Sequence, residues 1–384
     1  MTKIVHIMIS AFYKEGYGYQ ENILSKKHAQ LGYDVSIIAR NVIGKAGPCE
    51  YINDRGVRVV VLEDNHSVIT RMPVVRAWAP RTKGLHDQLI IEHPDIIFVH
   101  GITAVDHWNV IRYKKQHPQV KLYVDNHADY YNNANYKSLK SRIIRAIGLK
   151  RNVRTLSNLS ERVWGVTPWR VQFLHDVYGI SPSKTGLLVM GGDEDCLRWN
   201  ERDVVRRELR EQYGIPQDTF LIVTGGKIDK TKNIHLLMQA VEQLPDVWLI
   251  VFGRYEADML EFVQNVKCDR IVNVGWIPSD KAYDYFLAAD LGCFPGTHSV
   301  LWEQACASGL PCIFKDWDGG FSHVDVGGNA ILLKEISPVA LLDSIKTLVD
   351  NPKQLEQMKQ VAAEKGRKTF AYIEIAKRAI EIDK

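Results

Sequence analysis

Short apolar runs alternate with segments of helical period along nearly the whole of this 384-residue chain. The runs are rich in β-branched residues, as in KIVHIMI, DVSIIA and VRVVVL near the start and FLIVTGG, VWLIVFG and PCIFKDW in the second half. Buried parallel strands joined by helices have this pattern. It predicts an α/β chain built of doubly wound, Rossmann-like sheets.

The chain is too long for one ordinary core, so its length favours two domains. The stretch GISPSKTGLLVMGGDEDCLRW, residues 179–199, gathers turn-forming residues and interrupts the periodicity. We therefore expect a boundary near residue 190. Two such sheets facing one another would leave a cleft between domains, which is a common place for ligands.

Composition limits the class of protein and its compartment. Hydrophobic residues make up 46% and charged residues 24%, while the net charge of +4 is too small to indicate a nucleic-acid partner. No run approaches the roughly 18 to 20 apolar residues that span a bilayer, and MTKIVHIMISAFYKEG reads as a strand and turn rather than a signal peptide. The six cysteines form no CxxC pair and the 13 histidines no HExxH motif. These features predict a cytosolic protein with reduced thiols and no metal site.

A glycine-containing loop, YKEGYGYQEN, follows the first predicted strand and opens a helix. It is a poor dinucleotide fingerprint, because Glu21 stands where the third glycine is needed and the second strand ends at Ala39 and Arg40 without an acidic residue. Gly16 and Gly18 still allow a tight turn whose N–H groups can meet a substrate or a phosphate. An ordinary strand-to-helix turn is the alternative.

The loop GGKIDKTKN, residues 225–233, follows the first strand of the second half and precedes a helix. It is not a P-loop, because Asp229 stands where the glycine before Lys-Thr should be. Two glycines, three lysines and a helix N-terminus suit a pyrophosphate. The alternative is that the lysines are simply solvated.

Two histidines lie just past neighbouring predicted strands, His100 in DIIFVHG and His127 in LYVDNHADYY. Ligands of open α/β sheets sit beyond the carboxyl ends of the strands, so both are candidates to face a ligand. Asp125, Asn126 and Asp129 make the second loop polar, which suits a polyhydroxylated ligand. A structural role for either histidine is the alternative reading.

The stretch FPGTHSVLWEQACASGLPCIF, residues 294–314, reads as a strand end, a turn and a buried helix that ends at Gly309. Its apolar pattern would bury Glu303, for which the neighbouring sequence offers no obvious partner. Ser299 is the predicted N-cap. A carboxylate in the first turns of this helix can accept hydrogen bonds from the two hydroxyls of a ribose, or it can act as a capping or salt-bridging residue.

Taken together, these loops resemble family 4 of the retaining nucleotide-sugar glycosyltransferases. The G-R-x4-K-G donor loop of that family is matched by Gly226, Lys227, Lys232 and Asn233, with lysine for arginine and asparagine for the last glycine. Its Glu-x7-Glu motif is matched at Glu303 and at the closing Gly309-Leu310-Pro311, but Pro295 stands at the first glutamate. The segments GYGYQENILSKKHAQLGYDV, LLVMGGDED and YIEIAKRAIEI extend the similarity over most of the chain.

The resemblance implies the GT-B fold, with an acceptor-binding domain of residues 1–190 plus the terminal helix 369–384, and a donor-binding domain of residues 191–368. It also implies transfer of a sugar from a nucleotide-diphosphate donor to a saccharide or lipid-linked acceptor hydroxyl, with retention and without a metal or other cofactor. The implied catalytic residues are Lys227, Lys232 and His127; the donor-binding residues are Glu303, His298, Ser299, Gly226 and Val300; and the acceptor-side residues are Gly16, Gly18 and His100.

Two other functions stay open at this point. A sugar-nucleotide epimerase on the same fold could use His127, Asp125 and His298 as its acid and base. A nucleotide-sugar-binding protein with weak catalysis would account for Pro295 in place of the first carboxylate.

The segment 137–162 carries eight lysines or arginines against one glutamate, with Leu139, Ile143 and Ile147 at helical spacing. A basic amphipathic helix can lie on an anionic membrane surface. The sequence therefore predicts either contact with the inner membrane face or a solvated helix that packs its apolar stripe on the domain.

Overall fold

The computed structural model of the protein describes residues 1–10, 13–40, 47–64, 82–104, 106–130 and 150–381. The chain divides into two compact units, Met1–Val189 with Ala376–Lys384 and Met190–Ile375. The expected boundary near residue 190 thus lies beside the observed one. The C-terminal segment, however, returns to the first unit at residue 376 and not at 369.

Hydrogen bonds at both ends of the last helix explain this difference. Residues before 376 are fixed within the second unit, since the N–H of Gly192 donates to the Phe370 carbonyl at 2.9 Å and the Glu194 carboxylate accepts from the N–H of Tyr372 at 3.0 Å. Residues after 376 are fixed within the first unit. There the Trp164 indole donates to the Ala379 carbonyl and the Tyr123 hydroxyl to the Ile380 carbonyl, at 3.0 and 3.1 Å.

The first unit is built on one eight-stranded sheet in the order β3-β4-β2-β1-β5-β6-β7-β8, parallel except for the antiparallel edge strand β3. Its strands are β1 Lys3–Met8, β2 Asp34–Arg40, β3 Cys49–Ile52, β4 Arg58–Leu62, β5 Ile96–Val99, β6 Lys121–Asn126, β7 Arg162–Gly165 and β8 Thr185–Leu187. Its α-helices are α1 Gln20–Gln30, α2 Leu85–Glu92, α3 His107–Gln116 and α4 Pro168–Phe173, and residues 150–159 are also helical.

The second unit is built on a parallel sheet in the order β11-β10-β9-β12-β13-β14. Its strands are β9 Phe220–Ile228, β10 Val247–Tyr255, β11 Ile271–Gly275, β12 Leu291–Phe294, β13 Cys312–Lys315 and β14 Ala330–Leu333. The helices are α5 Arg202–Gln212, α6 Ile234–Glu242, α7 Ala257–Asn265, α8 Ala282–Ala288, α9 Leu301–Ala307, α10 Pro338–Asp350, α11 Pro352–Val361, α12 Arg367–Phe370 and α13 Tyr372–Ala379, the last of which ends in the first unit. The predicted doubly wound α/β architecture is confirmed in both units.

Each sheet has a point at which the strand order reverses, between β1 and β5 in the first unit and between β9 and β12 in the second. Ligands of open α/β sheets bind beyond the carboxyl ends of the strands at such a point. The loops that follow these four strands are those that the sequence singled out. The fold therefore puts the candidate residues of each unit at its expected binding edge.

Three strands escaped prediction: β3, β8 and β14. The sequence of β3, CEYI, alternates half-buried and exposed positions and pairs on one side only, so it carries little of the apolar signal of a central strand. Strand β8 has only three residues.

The predicted basic helix falls largely outside the described residues, which omit 131–149. Its remaining part, residues 150–159, is helical and buries Val153 and Leu156. Within the described ranges, no helix combines the length and the hydropathy needed to cross a membrane.

Candidate active site

Two loops of the second unit form the candidate donor site. One follows β9 and contains a short 3-10 turn, Lys230–Lys232, which Asp229 caps by accepting from the N–H of Thr231 at 2.9 Å. The other follows β12 and runs over residues 295–300 to the start of α9. Because β9 and β12 are neighbours in the sheet, their loops emerge side by side.

Hydrogen bonds join these two loops directly. The Lys232 ammonium donates to the Thr297 carbonyl at 2.6 Å, and the N–H of Thr297 donates to the Thr231 carbonyl at 3.0 Å. The Asn233 amide donates to the Pro295 carbonyl, also at 3.0 Å. These hydrogen bonds hold the two loops together and keep Lys232 against the backbone that precedes α9.

Gly296 lies at the closest approach of the two loops. A Cβ at this position would lie 2.3 Å from backbone atoms of Lys232, a distance that no side chain tolerates without a shift of the backbone. We expect Gly296→Ala to force the loops apart and to destabilise the second unit by about 1–3 kcal/mol. Urea unfolding would measure this loss. Thr297→Ala in the same loop is the control, since Thr297 binds Lys232 through its backbone; equal stabilities of the two variants would contradict the prediction.

Asn233 explains one departure from the family pattern. Its φ is 54°, in the left-handed region that glycine adopts readily and that asparagine tolerates better than most residues. The position that usually holds glycine therefore keeps the backbone conformation that glycine would allow. Its side chain adds the bond to Pro295 that glycine could not make.

The protonation of Lys232 depends on its burial between the two loops and on the charges nearby. Burial lowers the pKa of Lys232 to about 8, Asp229 opposes the shift, and the nearby charge of Lys227 adds to it. An anion beside the ammonium would favour the charged form, so ligand charge and protonation of Lys232 should be coupled. Lys227 itself is 67% exposed, with its nitrogen 3.9 Å from a carboxylate oxygen of Glu256.

Glu303 lies in the first turn of α9 and is fully buried. The expectation that it has no nearby partner is wrong. One oxygen, Oε1, accepts from Nε2 of His298 at 2.7 Å and from Nε2 of His323 at 2.9 Å. Burial by itself would raise the pKa of Glu303, but the two imidazoles outweigh it and lower the pKa to about 2.

The second carboxylate oxygen of Glu303, Oε2, lacks the hydrogen bonds that Oε1 accepts. Oε2 is buried and has no hydrogen-bond partner among the described residues, and neither does Nδ1 of His323. The His298 ring stacks on Phe321 with centroids 4.3 Å apart, which fixes its orientation. The carboxylate is thus held through one oxygen, while the other has the capacity to accept hydrogen bonds from a ligand.

The same three side chains could also hold a metal ion. One ligand atom each of His298, Glu303 and His323 lies within 4.8 Å of the others, and two imidazoles with a carboxylate are a donor set used by zinc. The expectation of a metal-free site therefore stays a prediction.

Sequence reasoning missed His323. It stands in the loop WDGGFSHVD, residues 317–325, where no periodicity or strand end gives it a signal, and it meets Glu303 only through the fold. The predicted N-cap at Ser299 is wrong, because α9 begins at Leu301 with Val300 at the N-cap position and no side-chain cap. Ser299 instead accepts, through its carbonyl, from the N–H of Trp302. Gly226 lies within β9, at a φ of 116°.

The remaining candidates belong to the first unit. Gly16 has a φ of 75° and, with Gly18, lies in the loop between β1 and α1. His100 follows β5 and His127 follows β6, and the structure brings both to Asp125. Its Oδ2 lies 2.7 Å from Nδ1 of His100 and 3.4 Å from Nε2 of His127.

Comparison with known families bears on the second unit. Residues 205–365 match the model of the family "Glycosyl transferases group 1". This segment is thus similar to that family over less than half of the chain. The match covers β9 to β14 and both loops of the candidate donor site.

Curated relatives of this chain match over parts of their length. D-inositol 3-phosphate glycosyltransferase 1 of Catenulispora acidiphila is 24% identical over 219 residues, which are 52% of this chain and 51% of the relative. TuaC of Bacillus subtilis, named for teichuronic acid biosynthesis, is 32% identical over 152 residues, 38% of each chain. The chain thus matches about half or less of the length of these relatives.

Solved structures with this fold match over nearly the whole chain. A glycosyltransferase from Rickettsia africae has a TM-score of 0.71 at 14% identity, covering 99% of this chain and 97% of its own. HepE from Anabaena, solved with UDP-glucose, has a TM-score of 0.65 at 15% identity, covering 100% and 99%. A Listeria monocytogenes protein described as a UDP-N-acetylglucosamine 2-epimerase has a TM-score of 0.57 at 12% identity, covering 96% and 93%. The fold of the chain is GT-B, as the sequence predicted.

Proposed function

We propose that this chain is a retaining glycosyltransferase that moves a hexosyl group from a nucleotide-diphosphate sugar to an acceptor hydroxyl, in the synthesis of a cell-surface polysaccharide or glycolipid. The observation that carries the proposal is the pair of joined loops after β9 and β12. They combine the ammonium of Lys232 with a buried Glu303 whose Oε2 can accept hydrogen bonds. A donor of this class has a diphosphate for the first group and ribose hydroxyls for the second.

In sugar transfer the protein has two tasks: it binds the donor, and it stabilises the charge that develops on the leaving group. As the bond from the sugar to the diphosphate breaks, negative charge grows on the leaving phosphate, and Lys232 and Lys227 would stabilise it. Glu303 would hold the ribose through Oε2, with His298 and His323 keeping Oε1 in place. We assign His127 to a hydrogen bond with the donor sugar, the amides of 298–300 to its phosphate or sugar, and the Gly16–Gly18 loop to the acceptor. His100, an acceptor-side candidate of the sequence, is not assigned there, because His6 and Asp125 occupy both of its ring nitrogens.

Two relatives support parts of this assignment. HepE has the same fold and was solved with UDP-glucose, and TuaC is named for teichuronic acid biosynthesis. We propose a nucleotide sugar as donor and a saccharide or lipid-linked acceptor on this basis. The site is proposed to work without a metal, because lysines and helix N-termini supply the positive charge.

The epimerase alternative rests on the Listeria structure, which shares the fold. Product analysis separates the possibilities. The full chain is incubated with UDP-, GDP-, ADP- and dTDP-sugars, with and without a saccharide acceptor and with and without EDTA. We expect release of nucleoside diphosphate and a new glycoside only with acceptor present, unaffected by EDTA. A changed sugar without acceptor would favour an epimerase, and binding without turnover across acceptors would favour a binding protein.

Contact with an anionic membrane surface through residues 137–162 is part of the proposal. Each well-placed lysine or arginine would contribute about 1 kcal/mol. We expect the protein to co-sediment with vesicles containing anionic lipid, and charge reversal at Arg142, Arg145, Lys150 and Arg151 to abolish this. Sedimentation that is unchanged by the reversal, or equal with neutral vesicles, would contradict it.

A further inference from the structure

A chain of buried side chains crosses the first unit from its last helix to Asp125. Nε2 of His28 lies 2.9 Å from the Ala376 carbonyl, and Nδ1 of His28 lies 3.0 Å from Nε2 of His6. Nδ1 of His6 lies 2.9 Å from Nε2 of His100, and Nδ1 of His100 lies 2.7 Å from Oδ2 of Asp125. All four side chains are at most 7% exposed. We call His28, His6, His100 and Asp125 the histidine relay.

The two ends of the relay can only accept hydrogen bonds. Ala376 offers a carbonyl. Asp125 is ionised, since burial alone would raise its pKa but its neighbours, the charge of His127 first among them, lower it. The N–H of Gly101 also donates to Asp125, to Oδ1 at 2.7 Å. Neither end therefore supplies a proton to the relay.

Counting protons decides the charge of the histidines between these ends. Four hydrogen bonds need four protons, and three neutral imidazoles hold only three. One histidine must therefore carry a second proton. Burial lowers the pKa of His28 to about 4 and that of His6 well below its usual range, whereas His100 touches the Asp125 carboxylate. The second proton therefore belongs to His100.

We infer that the histidine relay holds His100 as a buried imidazolium, and that this cation compensates the charge of Asp125 and so sets the protonation of His127. Asp125, His100, His6 and His28 are then positioning residues for His127. This role rests on the proposed function, in which His127 meets the donor sugar. The charge of His100 does not depend on that function, because it follows from the proton count of the relay and from the contact of His100 with Asp125.

The groups around His127 give the direction of the effect. Burial lowers the pKa of His127, Asp125 raises it, Glu21 on α1 raises it further and Arg170 on α4 lowers it, with a net increase. If His100 loses its second proton, the charge of Asp125 is no longer compensated. His127 then faces a full carboxylate at 3.4 Å, and its pKa rises again.

Two substitutions at His28 form a matched pair. In His28→Gln the amide N–H can donate to the Ala376 carbonyl and the amide oxygen can accept from His6, so the relay still needs its extra proton. In His28→Phe both functions are lost, and the two remaining hydrogen bonds need only the two protons that neutral His6 and His100 already hold. Only the second substitution should therefore discharge His100.

Histidine-selective 15N NMR of the full chain tests the inference. At neutral pH we expect protons on both ring nitrogens of His100 and on Nε2 only of His6 and His28. In His28→Phe, His100 should keep one ring proton and the titration of His127 should move upward by about one pH unit, while His28→Gln should match the wild type. A single ring proton on His100 in the wild type overturns the inference, and so does an unmoved His127 titration in a folded His28→Phe protein.

A second experiment measures how sugar transfer depends on pH. In His28→Phe the pH profile of kcat should shift with the His127 titration while KM changes little; an unchanged profile overturns the positioning role. If His28→Phe does not fold, His6→Phe, which also cuts the relay, takes its place, and the proton count in the wild type decides by itself. If the wild type shows the expected ring protons but transfers sugar to no acceptor, the proposed function is wrong while the charge of His100 still holds.

Discussion

Replacing Lys232 with alanine is expected to lower the rate of sugar transfer by about 10²- to 10³-fold, which is the loss that follows removal of one preorganised oxyanion-hole donor from an enzyme. The ammonium is held 2.6 Å from the Thr297 carbonyl, so it is already oriented before the donor binds. Removing it leaves the growing charge on the leaving diphosphate without its nearest cation. Single-turnover kinetics with saturating donor would measure the loss, and calorimetry would give the accompanying loss of nucleotide affinity.

Lys230→Ala is the matched control for this experiment. Lys230 is in the same 3-10 turn but exposed, and its backbone N–H, which the substitution keeps, donates to Asp258 at 3.1 Å. We expect less than about a threefold change, since a solvated charge contributes little. If Lys232→Ala left both nucleotide affinity and transfer rate unchanged, the assignment of the donor site would be wrong.

Glu303→Gln is expected to weaken donor binding by roughly 10- to 100-fold, because a hydrogen bond to a charged acceptor contributes about 1.5–3 kcal/mol. The substitution keeps the size of the side chain but removes the charge that Oε2 offers to the ribose. Titration with the nucleoside diphosphate, which lacks the sugar, isolates this contact. Glu335→Gln, an exposed glutamate of the same unit, is the control, and equal affinities for the two variants would contradict the assignment.

The same variant also tests the electrostatics of Glu303. A pKa lowered from 4.5 to about 2 in the folded protein corresponds to about 3 kcal/mol of stabilisation at neutral pH. Because the folded pKa is the lower one, this stabilisation is present above pH 4.5 and is lost as pH falls toward 2. Urea unfolding should show wild type and Glu303→Gln differing most near pH 7 and converging in acid. A difference that is independent of pH would contradict the pairing with His298 and His323.

Local sequence signals were sufficient for the central strands and for the loops after them, but not for the edge strands β3, β8 and β14. Central parallel strands are buried on both faces, so their apolar runs, such as FLIVTGG in β9, stand out without knowledge of the fold. Once strands are assigned, the binding edge follows from the carboxyl-end rule, and this made Lys232, Glu303, His100 and His127 candidate residues, whose roles stay predictions.

Side-chain partners could not be predicted in the same way. His298 precedes α9, so helical spacing does not relate it to Glu303, and His323 lies 20 residues further along in an irregular loop. In the relay, His6 and His100 are 94 residues apart in sequence and meet because β1 and β5 are adjacent strands. Such contacts depend on sheet order, which apolar patterning does not encode.

The departures from the family pattern became interpretable only with backbone angles and contacts. Asn233 replaces a glycine and keeps its left-handed conformation. Pro295 replaces a glutamate, and its carbonyl joins the two donor loops by accepting a hydrogen bond from Asn233. Glu303 has two histidine partners, His298 and His323. Glu303 is thus a buried carboxylate with two partners on Oε1, while Oε2 has no hydrogen-bond partner in the part of the chain that the structure describes.

Thermal unfolding with UDP-, GDP-, ADP- and dTDP-sugars tests whether the chain binds a nucleotide sugar through Lys232 and Glu303, because a ligand that binds only the folded state raises its stability. At a donor concentration of about 100 times Kd the gain should be about 2.7 kcal/mol, visible as a rise in Tm. We predict that sugars of one base raise the Tm of the wild type and leave that of a Lys232→Ala/Glu303→Gln double variant unmoved. An unchanged wild-type Tm with every nucleotide sugar, or an equal rise in the double variant, would contradict the account.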